Sequence, residues 1–152
     1  MIGYCNEGGE IAPEYEECKG ENLRGNSMKK EYISPRGVFE PIGWSHAVKA
    51  GNTIYLAGMT GWDEQRKVVE GGFEAQTIKA FENIKLTLEA AGASLKDVVK
   101  YTVYLTNMDD IGKFREIRAR FFTPPMPAGT GVEVSRLLPG VLVEIDAVAV
   151  VD

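Results

Sequence analysis

A small, uncharged corner directly precedes an alternating strand in the stretch PPMPAGTGVEVSR, residues 124–136. A corner at the mouth of a strand is a place from which a charged side chain can hold a substrate, but residues 128–131 read Ala-Gly-Thr-Gly. Gly129 and Gly131 either expose backbone N–H groups toward a ligand oxygen or satisfy the dihedral angles of a turn, and both interpretations stay open. Thr130 offers a hydroxyl donor beside them.

Two carboxylates share one face of the last predicted strand, VLVEIDAVAV. Side chains alternate across a strand, and every second residue from Val141 to Ala149 is apolar, so Glu144 and Asp146 lie on the opposite face. Glu144 is interpreted as the group that activates an attacking water, with a strand carboxylate that bridges subunits as the alternative. Asp146 is interpreted as a solvated or interface charge.

His46 is the only histidine, and Cys5 and Cys18 are the only cysteines. These numbers are too small for a His-rich or zinc-type cluster, so the sequence predicts no metal. No Ser-His-Asp or Cys-His unit can be assembled unless Ser45 or a tail thiol comes near. We interpret His46 as a polar strand residue on the same side of the chain as Trp44.

The elements that must position these residues follow from hydrophobic periodicity and turn signals. The segment WSHAVKAGNTIYLAG predicts two strands around a Gly51-Asn52 turn, and VVKYTVYLT and the two final segments predict three more. Residues 76–92 and 108–122 predict helices, the first ended by Gly92 and the second capped by Asp109 or Asp110. The order β-β-α-β-α-β-β predicts an α+β fold, one sheet with two helices on one face.

Two further features concern the strand pairing and the second sheet face. The Leu138-Pro139-Gly140 turn predicts that the last two strands are antiparallel neighbours, which would place Glu144 beside the 128–131 corner. The middle strand is predicted to turn Val99, Tyr101, Val103 and Leu105 to the core.

The opposite face of the sheet is too apolar to lie in water and too polar to form a core. We therefore expect a homo-oligomer in which this face packs against copies of itself, with carboxylates near the contacts between subunits.

Composition narrows the possible partners and the location of the chain. The net charge of −5 and the lack of a basic stripe argue against nucleic acid and an anionic membrane surface, and no apolar run is long enough to span a bilayer. The first residues lack a signal peptide, so we expect a cytoplasmic protein. Residues 1–28, rich in Gly and Glu, are predicted to be an extension, with Met28 a candidate internal start, and residues 29–152 form the domain.

The segments IGWSHAVKAGNTIYLAG, EAQTIKAFENIKLTLEAAGASLKDVVKYTVYLTNMDD and VEVSRLLPGVLVEIDAVAV resemble the RidA/YjgF family, also called endoribonuclease L-PSP. The resemblance runs from about Pro41 to Val150. It implies a chorismate-mutase-like fold, a homotrimer with three clefts between subunits, and hydrolysis of reactive enamines and imines to keto acids and ammonia without any cofactor. The partners implied are a small-molecule ligand and copies of the same chain.

The resemblance also implies site residues and shows where this chain departs from the family. Active members carry Pro-Ala-Arg-Ser at the corner, and their arginine grips the substrate carboxylate in a bidentate clasp; Gly129 stands in its place. Gly131 replaces a frequent cysteine, Trp44 a cleft tyrosine and His46 a glutamine, whereas Glu144 matches the family's late-strand glutamate. We expect a cleft between subunits lined by Trp44, Gly129, Thr130, Gly131 and Glu144, with Trp44 supplied by an adjoining chain.

Three residues have roles that the resemblance leaves open. Trp44 either stacks on a planar ligand or packs at a subunit seam. Trp62, in the loop GMTGWDEQRK, is a candidate for the cleft rim. Arg136 matches a family arginine outside the clasp and is interpreted as structural, although it is the nearest candidate to replace the missing charge.

Two functions are compatible with these residues. The first is a RidA-like hydrolase or deaminase that acts on a reactive enamine, imine or related conjugated molecule, with weak or no activity on 2-iminoacids because Gly129 replaces the arginine; Gly129→Arg should then raise that activity. The second is a catalytically inactive trimer that binds or senses a small ligand. Loss of the arginine favours the second function, and retention of Glu144 favours the first.

Overall fold

The computed structural model describes residues 29–152. The predicted extension over residues 1–28, with Cys5, Cys18 and the start-site hypothesis at Met28, lies outside the described residues. Within residues 29–152, no helix is long and apolar enough to cross a membrane, and no cluster of three or more His, Cys, Asp or Glu side chains is arranged to hold a metal ion.

The chain forms one mixed sheet covered by two helices, as the periodicity predicted. The strands are β1 (Lys30–Ile33), β2 (Ala47–Ala50), β3 (Thr53–Thr60), β4 (Val98–Leu105), β5 (Ala128–Glu133) and β6 (Val143–Val150), and the helices are α1 (Gly72–Ala90) and α2 (Ile111–Arg118). The spatial order of the strands is β1-β2-β3-β6-β4-β5. Strand β1 was not predicted; it pairs antiparallel with β2 at one edge of the sheet.

The last strand lies in the centre of the sheet, antiparallel to both β3 and β4. Strand β5 instead pairs in parallel with β4 at the far edge, with Tyr101 opposite Gly129. The prediction that β5 and β6 are antiparallel neighbours is therefore wrong. The physical reason is that β6 has a fully apolar face, which needs a central place beneath the helices, whereas β5 follows β4 through a helix, the connection that parallel strands require.

The two faces of β6 separate as the alternation predicted. Val143, Ile145 and Ala149 are buried beneath the helices, while Glu144 and Asp146 are partly exposed on the other face. Helix α1 packs its buried stripe on the same side of the sheet, and Gly92 follows the end of the helix with a φ of 77°.

The predicted orientation of Val99 in β4 is wrong, and the predicted cap of α2 is confirmed in position only. A register irregularity between Val98 and Lys100 buries Val98 and leaves Val99 47% exposed, so Val99 does not face the core. A 3-10 turn over Met108–Asp110 precedes α2, and its cap is Asn107, whose side chain accepts a hydrogen bond from the Asp109 N–H. Asp110 is the N-cap residue of α2, one of the two predicted alternatives, but its side chain makes no capping hydrogen bond, because the chain already coils through the 3-10 turn before this position.

The two-faced structure of β6 predicts unequal effects of matched truncations. Ile145→Ala should destabilise the fold by about 2–5 kcal/mol, because it opens a cavity under α1. Val148→Ala, on the opposite face of the same strand, should have a much smaller effect. Urea unfolding followed by circular dichroism measures both variants, and equal losses of stability would contradict the assignment of the faces.

Candidate functional site

A β-bulge positions the Glu144 carboxylate. The pairing of β3 with β6 shifts register between Leu56 and Met59, so Ala57 and Gly58 bulge out of the ladder. The Glu144 carboxylate lies across Gly58 so closely that a Cβ on this residue would collide with it. Glycine is therefore required at position 58 for the carboxylate to adopt this position.

The carboxylate borders a cavity of about 220 Å³ on the face of the sheet opposite α1 and α2. Its lining residues are Phe39, Trp44, Ala57, Gly58, Thr60, Trp62, Leu138 and Glu144. The Phe39 ring lies edge-on to Trp62 at 5.0 Å and tilted to Trp44 at 5.9 Å, measured between ring centroids. Phe39 thus joins the two tryptophans into one aromatic wall that faces a single carboxylate.

The electrostatic environment of Glu144 favours its neutral form. Burial raises the pKa of this carboxyl, and the negative charge of Asp146 raises it further. Asp146 is itself held in place, because it accepts hydrogen bonds from the Tyr104 hydroxyl at 2.9 Å and the Thr102 N–H at 3.2 Å. No cationic side chain is among the described residues that line the cavity. Glu144 therefore keeps its proton to a higher pH than an ordinary glutamate.

Two polar residues of α1 fix the rim of the cavity. Asn83 Nδ2 donates to the carbonyl oxygens of Thr60 and Trp62, at 3.1 and 3.0 Å. Gln76 Nε2 donates to the Gly140 carbonyl, and its Oε1 accepts from the Leu142 N–H at 2.8 Å. The sequence analysis missed both residues. An amide side chain on the core-facing side of a helix indicates that it bonds buried polar groups of another segment, so Gln76 and Asn83 could have been recognised from the sequence.

His46 supports the aromatic wall and does not line the cavity. Its side chain is fully buried, and within residues 29–152 neither ring nitrogen has a hydrogen-bond partner. Its ring lies edge-on to Trp44 and Phe39, both at 5.0 Å. Burial lowers the pKa of His46, and the charge of Glu40 only partly opposes this effect. The residue is thus a neutral packing group at neutral pH, and it does lie beside Trp44 as the alternation predicted.

The 128–131 corner lies apart from this cavity. Gly129 and Gly131 belong to edge strand β5 and border a second cavity, next to α2. Within one chain, Trp44, Trp62 and Glu144 border one cavity and the corner borders another, so the expectation that Glu144 lies beside the corner on a neighbouring strand is wrong. The cleft expected between the corner and the Trp44 of an adjoining chain stays a prediction. Thr130 is exposed on β5, and Arg136 is exposed and lines neither cavity.

The structure, unlike the sequence, explains why position 129 is occupied by glycine. The buried Tyr101 side chain occupies the space next to it, and a Cβ at position 129 would collide with the Tyr101 hydroxyl. The expectation that Gly129→Arg raises activity therefore meets a steric obstacle, because any side chain at position 129 must displace the tyrosine.

Comparison with known proteins assigns the chain to a family. The family model described as endoribonuclease L-PSP matches residues 39–151. The chain belongs to this family, which includes the RidA and YjgF proteins.

Individual relatives cover nearly the whole domain. A RutC family protein of Pyrococcus horikoshii is 47% identical over 122 residues, which are 79% of this chain and 97% of the relative. A 2-iminobutanoate/2-iminopropanoate deaminase of Dermatophagoides farinae is 35% identical over 125 residues, 81% of this chain and 98% of the relative. The crystal structure of RidA from an Antarctic Psychrobacter superposes with a TM-score of 0.76 at 40% identity, and covers 80% of this chain and 99% of that structure.

The steric relation between Gly129 and Tyr101 predicts opposite effects of two Gly→Ala substitutions. Gly129→Ala should destabilise the fold by roughly 1–3 kcal/mol, because it overpacks the contact with the Tyr101 hydroxyl. Gly112→Ala, within α2 and with open space around it, should stabilise the fold by up to about 1 kcal/mol through helix propensity. Thermal unfolding checks both variants, and a neutral Gly129→Ala would show that Tyr101 does not occupy this space.

Proposed function

We propose that this protein is a cofactor-independent hydrolase that deaminates a reactive imine or enamine, with Glu144 as its proton-transferring group. The observation that carries the proposal is the Glu144 carboxylate, which has a raised pKa, forms no ion pair with another residue of the 29–152 range, and faces an aromatic wall. The deaminase names of relatives such as the mite protein support the same reaction class. The residues of this cavity therefore fit a reaction that begins and ends with proton transfer.

The chemistry requires one proton acceptor and one positioned water. Water adds to the carbon of the protonated C=N bond, while ionised Glu144 takes a proton from that water, and a neutral carbinolamine forms. The same carboxyl returns this proton to nitrogen, and the C–N bond then breaks as ionised Glu144 takes the proton of the carbinolamine hydroxyl. A carbonyl product leaves, and the released ammonia carries the last proton away as ammonium. A carboxyl with a raised pKa suits both directions of transfer near neutral pH. The buried Thr60 hydroxyl borders the cavity and has no hydrogen-bond partner among the residues that the structure describes, so it is available to hold the water.

The aromatic wall favours a planar and cationic substrate. A protonated imine carries positive charge on a flat group, and aromatic faces attract such a cation. The indole of Trp44 is 39% exposed and free to contact it, whereas the Arg66 guanidinium already lies 5.1 Å from the Trp62 ring centroid. Ionised Glu144, which lies opposite the aromatic rings, provides a negative charge that attracts the iminium nitrogen.

The proposed substrate choice differs from that of relatives with an arginine at the corner. Gly129 brings no charge, so a small 2-iminoacid loses the bidentate clasp to its carboxylate. A substrate with a planar or conjugated group beside the C=N bond gains contact with the tryptophans instead. We therefore propose a preference for conjugated or aromatic imines over small 2-iminoacids.

The proposal includes a homotrimer with its clefts between subunits, in the cytoplasm. Apolar side chains remain exposed on the second sheet face and near its edge, among them Tyr55 at 54%, Val132 at 38% and Leu138 at 51%. A neighbouring copy that covers them would shield large apolar groups from water. The Gly129–Gly131 corner of one copy and the Glu144 cavity of another are the two halves that such a cleft would join.

A second function, a non-catalytic trimer that binds a small ligand, is favoured by Gly129. The chain has no charged residue at position 129, but it keeps an aromatic cavity, and such a cavity is sufficient to bind a planar ligand without catalysis. The two functions differ in one measurable respect, which is turnover that depends on Glu144.

Glu144→Gln tests the proposed function. The substrate is generated in the assay by an amino-acid oxidase acting on phenylalanine or alanine, and the rate of ammonia release is compared with spontaneous hydrolysis. The wild-type protein should accelerate hydrolysis, more for the imine from phenylalanine, and Glu144→Gln should lose roughly two or more decades of this acceleration. Glu82→Gln, an exposed glutamate on α1, is the matched control and should keep wild-type rates.

The fold of the variant separates catalysis from structure. Glu144→Gln should leave the trimer intact in light scattering and its Tm unchanged or raised, because a neutral amide avoids the burial of charge that raises the pKa of Glu144. Full turnover in Glu144→Gln would exclude the catalytic role. Dissociation of the trimer in this variant, with ligand binding retained, would make Glu144 a structural bridge.

A further inference from the structure

The turn that follows β3 has a fixed backbone. Trp62 pairs with Val68 across the turn. Inside it, one oxygen of the Asp63 carboxylate accepts hydrogen bonds from the N–H groups of Gln65 and Lys67, at 2.9 and 2.8 Å. The conformation of the residue between Gln65 and Lys67 is therefore determined by the turn itself.

That residue is Arg66, and its backbone conformation is unusual for an arginine. Its φ is 61°, and within residues 29–152 it is the only non-glycine residue with a positive φ. A side chain with a Cβ disfavours the left-handed region, which glycine and asparagine usually occupy. Strained backbone of this kind is concentrated at functional sites. Backbone geometry alone favours glycine at this position, so the reason for an arginine must lie in its side chain.

The Arg66 side chain lies on a tryptophan that lines the Glu144 cavity. Its guanidinium is over the Trp62 ring, 5.1 Å from the ring centroid, where cation–π attraction holds it. Trp62 is itself fixed, because the Phe39 ring lies edge-on to it at 5.0 Å and Asn83 Nδ2 donates to its carbonyl oxygen at 3.0 Å. Indole and guanidinium thus have one defined arrangement at the rim of the cavity.

The charge of Arg66 is not neutralised by the described part of the chain. The side chain is half-buried, and no acidic residue of the 29–152 range forms an ion pair with it. The described residues that line the Glu144 cavity include no cation. Arg66 therefore places a positive charge beside this cavity, on the ring that forms its rim, and the guanidinium has donors for an anion that comes from outside the chain.

We propose that Arg66 is a specificity-determining residue of the Glu144 cavity and binds a carboxylate that the ligand carries at a distance from its planar group. The planar group contacts the aromatic wall, and the carboxylate reaches past Trp62 to the guanidinium, whose planar donors match its two oxygens. Arg66 does not line the cavity, so a carboxylate attached directly to the C=N carbon is too short to reach it. The inference rests on the proposed function, because the ligand occupies the cavity of the proposed reaction.

The test compares the binding of 3-phenylpropionate with that of its neutral counterpart, 3-phenylpropionamide. Neither compound has a C=N bond, so turnover does not enter the measurement. Each is titrated into the full-length protein at constant ionic strength, and NMR follows the indole N–H resonances of Trp44 and Trp62. The wild type should bind the carboxylate at least about fivefold more tightly than the amide. Arg66→Gln should remove this preference and leave amide binding unchanged.

Lys67→Gln is the matched control. Lys67 is the next residue of the same turn, is exposed, and loses the same charge on substitution, so this variant should keep the wild-type preference. An equal loss of preference in Lys67→Gln would indicate a general effect of net charge and overturn the inference. The absence of binding of either compound to the wild type would overturn it as well, whereas a lack of Glu144-dependent turnover bears only on the proposed reaction.

Arg66→Gly separates ligand recognition from folding. Glycine accepts the left-handed φ, so the Tm of this variant should equal or exceed that of the wild type, while the preference for the carboxylate is lost. Arg66→Lys should keep only part of the preference, because an ammonium group lacks the planar pair of donors. A lower Tm in Arg66→Gly together with an unchanged preference would make Arg66 a structural cover of Trp62 and contradict the inference.

Discussion

The contact between the Glu144 carboxylate and the bare α-carbon of Gly58 is the constraint on which the proposed site depends. It exists because β3 bulges opposite the central strand β6, which gives the carboxylate room over the backbone. Burial of the carboxyl in this position raises its pKa, and the charge of Asp146 raises it further. Gln76 and Asn83, reaching from α1, hold the rim of the cavity through backbone groups on both sides of this contact. Helix α1, which packs on one face of the sheet, thus bonds directly to the backbone that borders the cavity on the other face.

The Glu144 cavity and the cavity between α2 and β5 have opposite electrostatic character. The first holds a carboxylate against an aromatic wall. The second holds the Arg118 guanidinium, whose Nε has no hydrogen-bond partner in the described part of the chain, beside the glycine backbone of β5. The Tyr101 hydroxyl shapes the second cavity in two ways. It excludes a side chain at position 129, and it accepts a hydrogen bond that orients Arg118. The 128–131 corner is therefore not an open space, although its own residues carry no charge. The space beside Gly129 is occupied by a residue from the neighbouring strand, and positive charge is supplied by α2.

Alternation and turn signals in the sequence were sufficient for the element order and the buried face of β6, since both follow from local periodicity. They were insufficient for the pairing of β5, because the Leu138-Pro139-Gly140 turn is a local signal and the central place of β6 is decided by burial across the whole sheet. Glu144 and Trp44 were found from their face and from family resemblance. The roles of Gly58 and Tyr101 could not be found that way, because each depends on a contact between residues more than twenty positions apart.

The central claim, that burial and the charge of Asp146 raise the pKa of Glu144, is tested most directly by a carboxyl-carbon NMR titration of Glu144. The account predicts a pKa above that of an ordinary glutamate, and a lower pKa in Asp146→Asn, where the nearby negative charge is removed. Ionised Glu144 should then be lost on acidification at a higher pH than for the exposed Glu116, whose pKa the Lys113 ammonium lowers through a hydrogen bond. A pKa for Glu144 at or below that of Glu116 would contradict the account.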